Sequence, residues 1–150
     1  MENIKILFVC THNAARSQIA EAYVNLLGGD KYTAESAGIE PGPGLNPYVV
    51  RAMAEDGIDI SKNSVDKVFD FFREGRKYHY VVTVCDESQR EQCPVFPGLK
   101  MRMHWGFSDP SKFEGTDDEI MAQVRTVRDR IKEKVKQFLA NPDFKEEVKF

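Results

Sequence analysis

Short continuous apolar runs alternate along the chain with longer segments in which apolar residues recur every three to four positions, a pattern that predicts strands followed by helices. Ile4-Lys5-Ile6-Leu7-Phe8-Val9 is the first run and reads as a buried strand that gives way at Cys10. After Ser17, the residues Ile19, Ala20, Tyr23, Leu26 and Leu27 fall on one helical face until Gly28-Gly29 stops the helix. Lys31-Tyr32-Thr33-Ala34-Glu35-Ser36 predicts a second strand, followed by a Gly- and Pro-punctuated loop from Gly38 to Leu45 that should reach the rim of any site. Asn46-Pro47 is a helix start, with Val49, Val50, Met53 and Ala54 as the inner face and Gly57 as the terminator.

Val65, Val68, Phe69 and Phe72 then repeat at helical spacing before Gly75, and the Phe69/Phe72 pair is expected in the core. His79-Tyr80-Val81-Val82-Thr83-Val84 reads as a buried strand ending at Cys85. From Cys85 to Gly98 the chain is polar and then Pro-punctuated, holds Cys93, and is expected to be its most mobile part; Lys100-Met101-Arg102-Met103-His104-Trp105 predicts the last strand. A long final helix begins at Asp117-Asp118-Glu119, whose charges suit a helix N-terminus. Its inward stripe is Ile120, Val124, Val127, Ile131, Val135 and Phe138, and Asn141-Pro142 ends it before a charged tail. Strands alternating with helices imply an α/β fold with a doubly wound parallel sheet, which takes ligands beyond the carboxyl ends of its strands. Cys10, Cys85 and the loop after Trp105 should therefore converge at one end of the sheet.

Composition narrows the picture. With 150 residues, 41% hydrophobic and 30% charged, the chain is expected to form one compact domain over 1–150. A net charge of -3 offers no global attraction to nucleic acid or to an acidic membrane, so an anion has to be captured by a local site. The opening residues lack the basic and apolar regions of a signal peptide, and no apolar run reaches bilayer length, so a cytoplasmic protein is expected. Nothing in the chain demands a partner subunit, and a monomer is expected. Three cysteines suit no disulfide framework in that compartment, which leaves catalysis, redox exchange and simple burial as competing explanations. The thiols and the histidines His12, His79 and His104 form no paired zinc-ligand motif.

The candidate chemistry sits in Cys10-Thr11-His12-Asn13-Ala14-Ala15-Arg16-Ser17. A strand feeding a cysteine, five residues and then Arg-Ser into a helix is a cradle for a tetrahedral oxyanion with a nucleophile beneath it. The small Ala14 and Ala15 let the backbone curl so that successive N–H groups point inward, aided by the positive end of the helix. Arg16 can grip two oxygens with its planar fork. Cys10 is the candidate nucleophile, Ser17 its candidate hydrogen-bond partner and Asn13 a residue that pins the loop.

Together with Glu35-Ser36-Ala37-Gly38, Cys85, Cys93-Pro94 and His104-Trp105-Gly106-Phe107-Ser108-Asp109-Pro110, this loop resembles the thioredoxin-coupled arsenate reductases over nearly the whole chain. The resemblance implies the low-molecular-weight protein tyrosine phosphatase fold, a four-stranded parallel sheet flanked by helices. It implies that Cys10 attacks bound arsenate, that Cys85 attacks Cys10 to release arsenite, and that Cys93 attacks Cys85 to leave a Cys85–Cys93 disulfide for thioredoxin. By the same resemblance Asp109 is the general acid, and Asn13, Glu21, Ser36 and Asp66 match an alkali-cation site, with potassium as the ion. His12 and Ala15 depart from the glycine and second cysteine usual in phosphatase relatives, and the interval from Cys85 to Cys93 is longer than in some reductases.

The alternative is a phosphotyrosine phosphatase that uses Cys10, Arg16 and Asp109 and leaves Cys85 and Cys93 without a task. Ser111-Lys112-Phe113 lacks the paired tyrosines that line the substrate slot of phosphatase relatives. A phosphocysteine carrier would need neither Arg16 nor the thiol pair, whereas a redox switch could use the same thiols.

Overall fold

A computed structural model describes residues 3–84, 96 and 99–142. Four strands, β1 (Ile4–Cys10), β2 (Tyr32–Gly38), β3 (Tyr80–Thr83) and β4 (Met101–His104), form one sheet in the order β2-β1-β3-β4. Every pairing is parallel, with Cys10 opposite Gly38 and Thr83 opposite both Val9 and His104. The strands end together, so β1 and β2 deliver Cys10 and Gly38 to the same edge. The four-stranded parallel α/β architecture is the one the sequence implied.

Helices cover both faces. Ile6, Phe8, Tyr80 and Val82 pack with α1 (Arg16–Leu27), α2 (Pro47–Glu55) and α4 (Asp117–Ala140). Leu7, Val9 and Val81 pack with Val68 and Phe71 of α3 (Val68–Arg73), and with Tyr78 and Phe96. Two buried faces explain why β1 is continuously apolar after Lys5. Aromatic rings fill the larger layer: Trp105 lies 5.5 Å from Phe8 and 5.6 Å from Phe138, and Phe138 lies 5.3 Å from Tyr80.

The caps follow the sequence. Asn46 Oδ1 accepts from the Tyr48 and Val49 N–H groups ahead of Pro47 in the first turn of α2. Thr116 and Glu119 cap α4 reciprocally, an arrangement that satisfies two backbone donors.

Several inner-face expectations need correction. Phe69 and Phe72 are 36% and 41% exposed. A six-residue helix lays only Val68 and Phe71 on the sheet, and its neighbours turn about 100° away from them. Leu26 and Leu27 are 59% and 42% exposed because the buried stripe of α1 is Ile19, Ala20, Tyr23 and Val24, so contact with the sheet ends before the helix does. In α2 the buried alanine is Ala52 and not Ala54, and in α4 Met121 takes the fully buried place expected of Ile120. Cys85 and Cys93, with the mobility expected of their segment, lie outside the described residues, as does the charged tail. Among the described residues no helix is long and apolar enough to cross a membrane.

Candidate active site

The loop between β1 and α1 folds as an inward-facing nest because its carbonyls are pulled outward. The Cys10, Thr11, His12 and Ala14 carbonyls accept from the N–H groups of Ile39, Glu40, Gly42 and Asn46, at 2.8 to 3.0 Å. A peptide's N–H points opposite to its C=O, so securing the carbonyls on the β2–α2 loop turns the following N–H groups to the inside. Gly38 makes this approach possible: a Cβ there would stand 2.9 Å from Asn13 N, His12 C and Thr11 O. Asn13 is the turning point, with φ 55°, the left-handed conformation that asparagine tolerates better than most residues.

Cys10 lies at the base of the nest and is 2% exposed. The Asn13 N–H donates to its sulfur at 3.1 Å, and Ser17 Oγ lies 2.9 Å from it. Asn13 Nδ2 donates into Ser17 Oγ at 2.8 Å, which leaves the serine's own proton for Cys10 Sγ. Two donors thus meet the sulfur. Arg16 and Ser17 occupy the first turn of α1, whose N-cap Ala15 supplies no side-chain cap, so the positive helix end opens onto the loop.

Arg16 is buried and held at both tips of its fork. Nη1 donates to the Phe107 carbonyl at 3.2 Å, and Nη2 lies 3.6 Å from Asp109 Oδ2. The sequence expectation that Cys10 and the loop after Trp105 meet at one end holds for Cys10, Arg16 and Asp109. Burial pushes the Asp109 carboxyl up, but the Ser111 N–H and hydroxyl, together with Arg16, outweigh it and hold it below the usual carboxylate value. Asp109 is therefore ionised while it faces Arg16. His12 is exposed, and its Nδ1 lies 2.9 Å from the Glu40 carbonyl, so Nδ1 carries the proton.

Behind the loop, burial pushes the Glu21 carboxyl up to about 7, with Glu35 and Asp66 adding negative charge and hydrogen bonds from Ser36 partly opposing the rise. Glu21, with Ser36 hydrogen-bonded to it and Asp66 adding negative charge, offers hard oxygen donors of the kind an alkali cation takes. Both Asn13 oxygens are already engaged, by Gln18 Nε2 and by the Asp66 N–H. Among the described residues no group of three or more His, Cys, Asp or Glu side chains is arranged to hold a metal.

Sequence reasoning missed Gln18, Asn63 and Ser64, which connect Asn13 to the segment before α3. A glutamine in the first turn of a helix reads as surface, and nothing local signals that it is buried. The Phe107 carbonyl was equally hidden, because backbone acceptors leave no mark in residue type.

The sequence profile of the low molecular weight phosphotyrosine protein phosphatases matches residues 5–149. The chain belongs to this family. Within it, the chain is similar to the arsenate reductase of Halalkalibacterium halodurans, 45% identical over 133 residues that make up 89% of this chain and 93% of that one. The arsenate reductase of Bacillus subtilis is 42% identical over 138 residues, 92% and 96% of the two chains. An arsenate reductase solved in its phosphate-binding state superposes with a TM-score of 0.70 at 29% identity, covering 91% of this chain and 97% of that one. A thioredoxin-dependent arsenate reductase from Corynebacterium glutamicum gives 0.61 at 27% identity, covering 90% and 63%. The family likeness thus spans the nest, the α1 start and the Asp109 loop together.

Proposed function

We propose that the protein reduces arsenate to arsenite through a relay of Cys10, Cys85 and Cys93, with thioredoxin as the final reductant. The observation that carries this reading is the seat of Cys10, a sulfur with two donors beneath a nest of N–H groups closed by Arg16. Similarity to arsenate reductases over most of the chain supports it, as do two further cysteines that a phosphatase would not need. Val84 is buried and its N–H donates to the Val9 carbonyl at 2.8 Å, so the described chain arrives beside the end of β1 one residue before Cys85.

The chemistry proceeds in balanced steps. The oxyanion binds with its oxygens on the other N–H groups of the nest and on the Arg16 fork, while Ser17 and the Asn13 N–H hold Cys10 in line. Cys10 Sγ attacks arsenic and a sulfur–arsenic bond forms as water leaves. Asp109 enters as a carboxylate, takes a proton from the bound acid and returns it to the departing oxygen. Cys85 then attacks Cys10 Sγ; the sulfur–arsenic pair stays on arsenic, which leaves as arsenite, and two thiols become a Cys10–Cys85 disulfide. Cys93 attacks Cys85, freeing Cys10, and the Cys85–Cys93 disulfide is reduced by thioredoxin. If potassium binds, Glu21, Ser36 and Asp66 would hold it, supplying positive charge behind the loop. The active form is a cytoplasmic monomer in this reading.

Arsenate-dependent NADPH oxidation with thioredoxin and thioredoxin reductase tests the relay. The wild type should turn over repeatedly, and Cys10→Ser, Cys85→Ser and Cys93→Ser should each abolish multiple turnover. Millimolar phosphate should compete. Robust hydrolysis of phosphotyrosine peptides that is undiminished in Cys85→Ser, without arsenate-dependent oxidation, would replace this reading with the phosphatase one.

A further inference from the structure

Gln18 is almost completely buried in the first turn of α1, and its side chain bonds to Asn13 of the loop rather than to the nucleophile itself. Its Nε2 donates to the Asn13 carbonyl at 3.1 Å and to the Ser64 carbonyl at 2.9 Å, and it lies 3.3 Å from Asn13 Oδ1. Its Oε1 accepts from Asn63 Nδ2 at 3.0 Å. An amide nitrogen has two protons, so one serves Ser64 and the other is shared between the two Asn13 oxygens. The Asp66 N–H, two residues beyond Ser64, donates to Asn13 Oδ1 at 2.9 Å, and the Asp66 carbonyl accepts from Gly38 N–H at 2.7 Å.

The two oxygens of Asn13, main-chain and side-chain, are thus gripped by groups that belong to Gln18 or to the 63–66 segment. This grip has a direct consequence at Cys10. With both oxygens of Asn13 held, its Nδ2 can face only Ser17 Oγ, and its left-handed backbone presents N–H to Cys10 Sγ. Both donors on the sulfur therefore depend on the orientation of Asn13. The left-handed conformation costs a non-glycine residue about 1 kcal/mol or more, so it persists only where surrounding bonds over-determine it.

We infer that Gln18 is a positioning residue that sets the Cys10 nucleophile through Asn13 and couples it to the Asn63–Asp66 segment on the protein surface. The coupling runs both ways: a change at Asn63 is transmitted through Gln18 to the sulfur, and a ligand in the nest steadies the 63–66 segment. None of this depends on which oxyanion is turned over.

The test uses the reduced full chain, with three readouts: backbone amide resonances, the dissociation constant of inorganic phosphate, and the rate of Cys10 alkylation followed by peptide-resolved mass spectrometry. Gln18→Met keeps length and removes every hydrogen bond. It should move the Asn13 and Ser64–Asp66 amide resonances together, weaken phosphate about tenfold and slow Cys10 alkylation about as much, the loss of one to two buried hydrogen bonds. Asn63→Ala, which touches neither Asn13 nor Cys10, should shift the same Asn13 resonance in the same direction by less. It keeps the test decisive if Gln18→Met folds poorly. A merely structural glutamine would lower the melting temperature and leave phosphate affinity unchanged in both variants. Unchanged Asn13 resonances and phosphate affinity in every folded variant would overturn the inference.

Discussion

Asn13 gathers more of the site's geometry than any other single residue, since its N–H, its side-chain amide and its reversed backbone all converge on Cys10 and Ser17. Its role as a loop-pinning residue was legible because Asn in a tight loop is a left-handed candidate. Its partners were not legible, because the Asp66 N–H comes from 53 positions away and Gln18, though close in sequence, turns inward to meet Ser64, 46 positions from it. Ser17→Ala removes one of two donors on the sulfur and should slow attack by Cys10 about tenfold with little change in phosphate affinity, measured as single-turnover formation of the enzyme adduct. Asp109→Asn should lower the rate of the first chemical step about a hundredfold while leaving, or tightening, oxyanion binding, because it removes a negative charge opposite Arg16.

Glu21 makes a prediction of a different kind. Its folded carboxyl holds a proton up to about pH 7, whereas an unfolded one releases it near 4.5. Between those values the folded state binds more protons, so stability falls as pH rises, by at most about 3 kcal/mol for a shift of this size. Thermal melts in a bulky organic cation should show that decline, Glu21→Gln should flatten it, and potassium added above pH 7 should reverse part of it. Identical melts with and without potassium would remove the cation from the account.

At the scale of elements, the strand–loop–helix unit from β1 to α1 depends on β2 for more than pairing. Gly38 ends β2 flush against the nest, and its lack of a side chain lets the loop carbonyls be drawn outward. Gly38→Ala should cost about 1–3 kcal/mol in chemical denaturation, as overpacking against backbone does, and should weaken phosphate binding at the same time. The glycine itself was visible in sequence, but the backbone it faces was not. The helix starts at Asn46-Pro47 and at Asp117 were legible for a local reason, since caps are made within a few residues. Inner faces were less so. Periodicity in α3 offered Phe69 and Phe72, while the sheet took Val68 and Phe71, because a short helix has too few turns for a hydrophobic stripe to fix its rotation.

Across the whole molecule, the aromatic layer and the polar tethers between α2 and α4 hold the sheet's covering in place. Phe138 near the end of α4 meets Tyr32, Tyr80 and Trp105, and Trp105 opens the loop that carries Phe107 and Asp109 to Arg16. Phe138→Ala should cost about 3–5 kcal/mol, read from the denaturant midpoint, because a large cavity opens between the sheet and its longest helix. Glu55 is bonded by Arg125 and Arg128, and Asp56 by Tyr23 and Lys132, joining α1, α2 and α4 at one surface. The exposed members of this group contribute modestly, since solvent screens them.

Sequence by itself determined the succession of strands and helices, the parallel sheet and the Cys10–Arg16 loop, because these are written in local periodicity and in residues a few positions apart. Tertiary structure alone decided which face each short helix buries, that Asp109 meets Arg16 as a carboxylate, and that Gln18 and the 63–66 segment hold Asn13. Those outcomes depend on contacts between distant parts of the chain and on the desolvation they impose, neither of which a local pattern records.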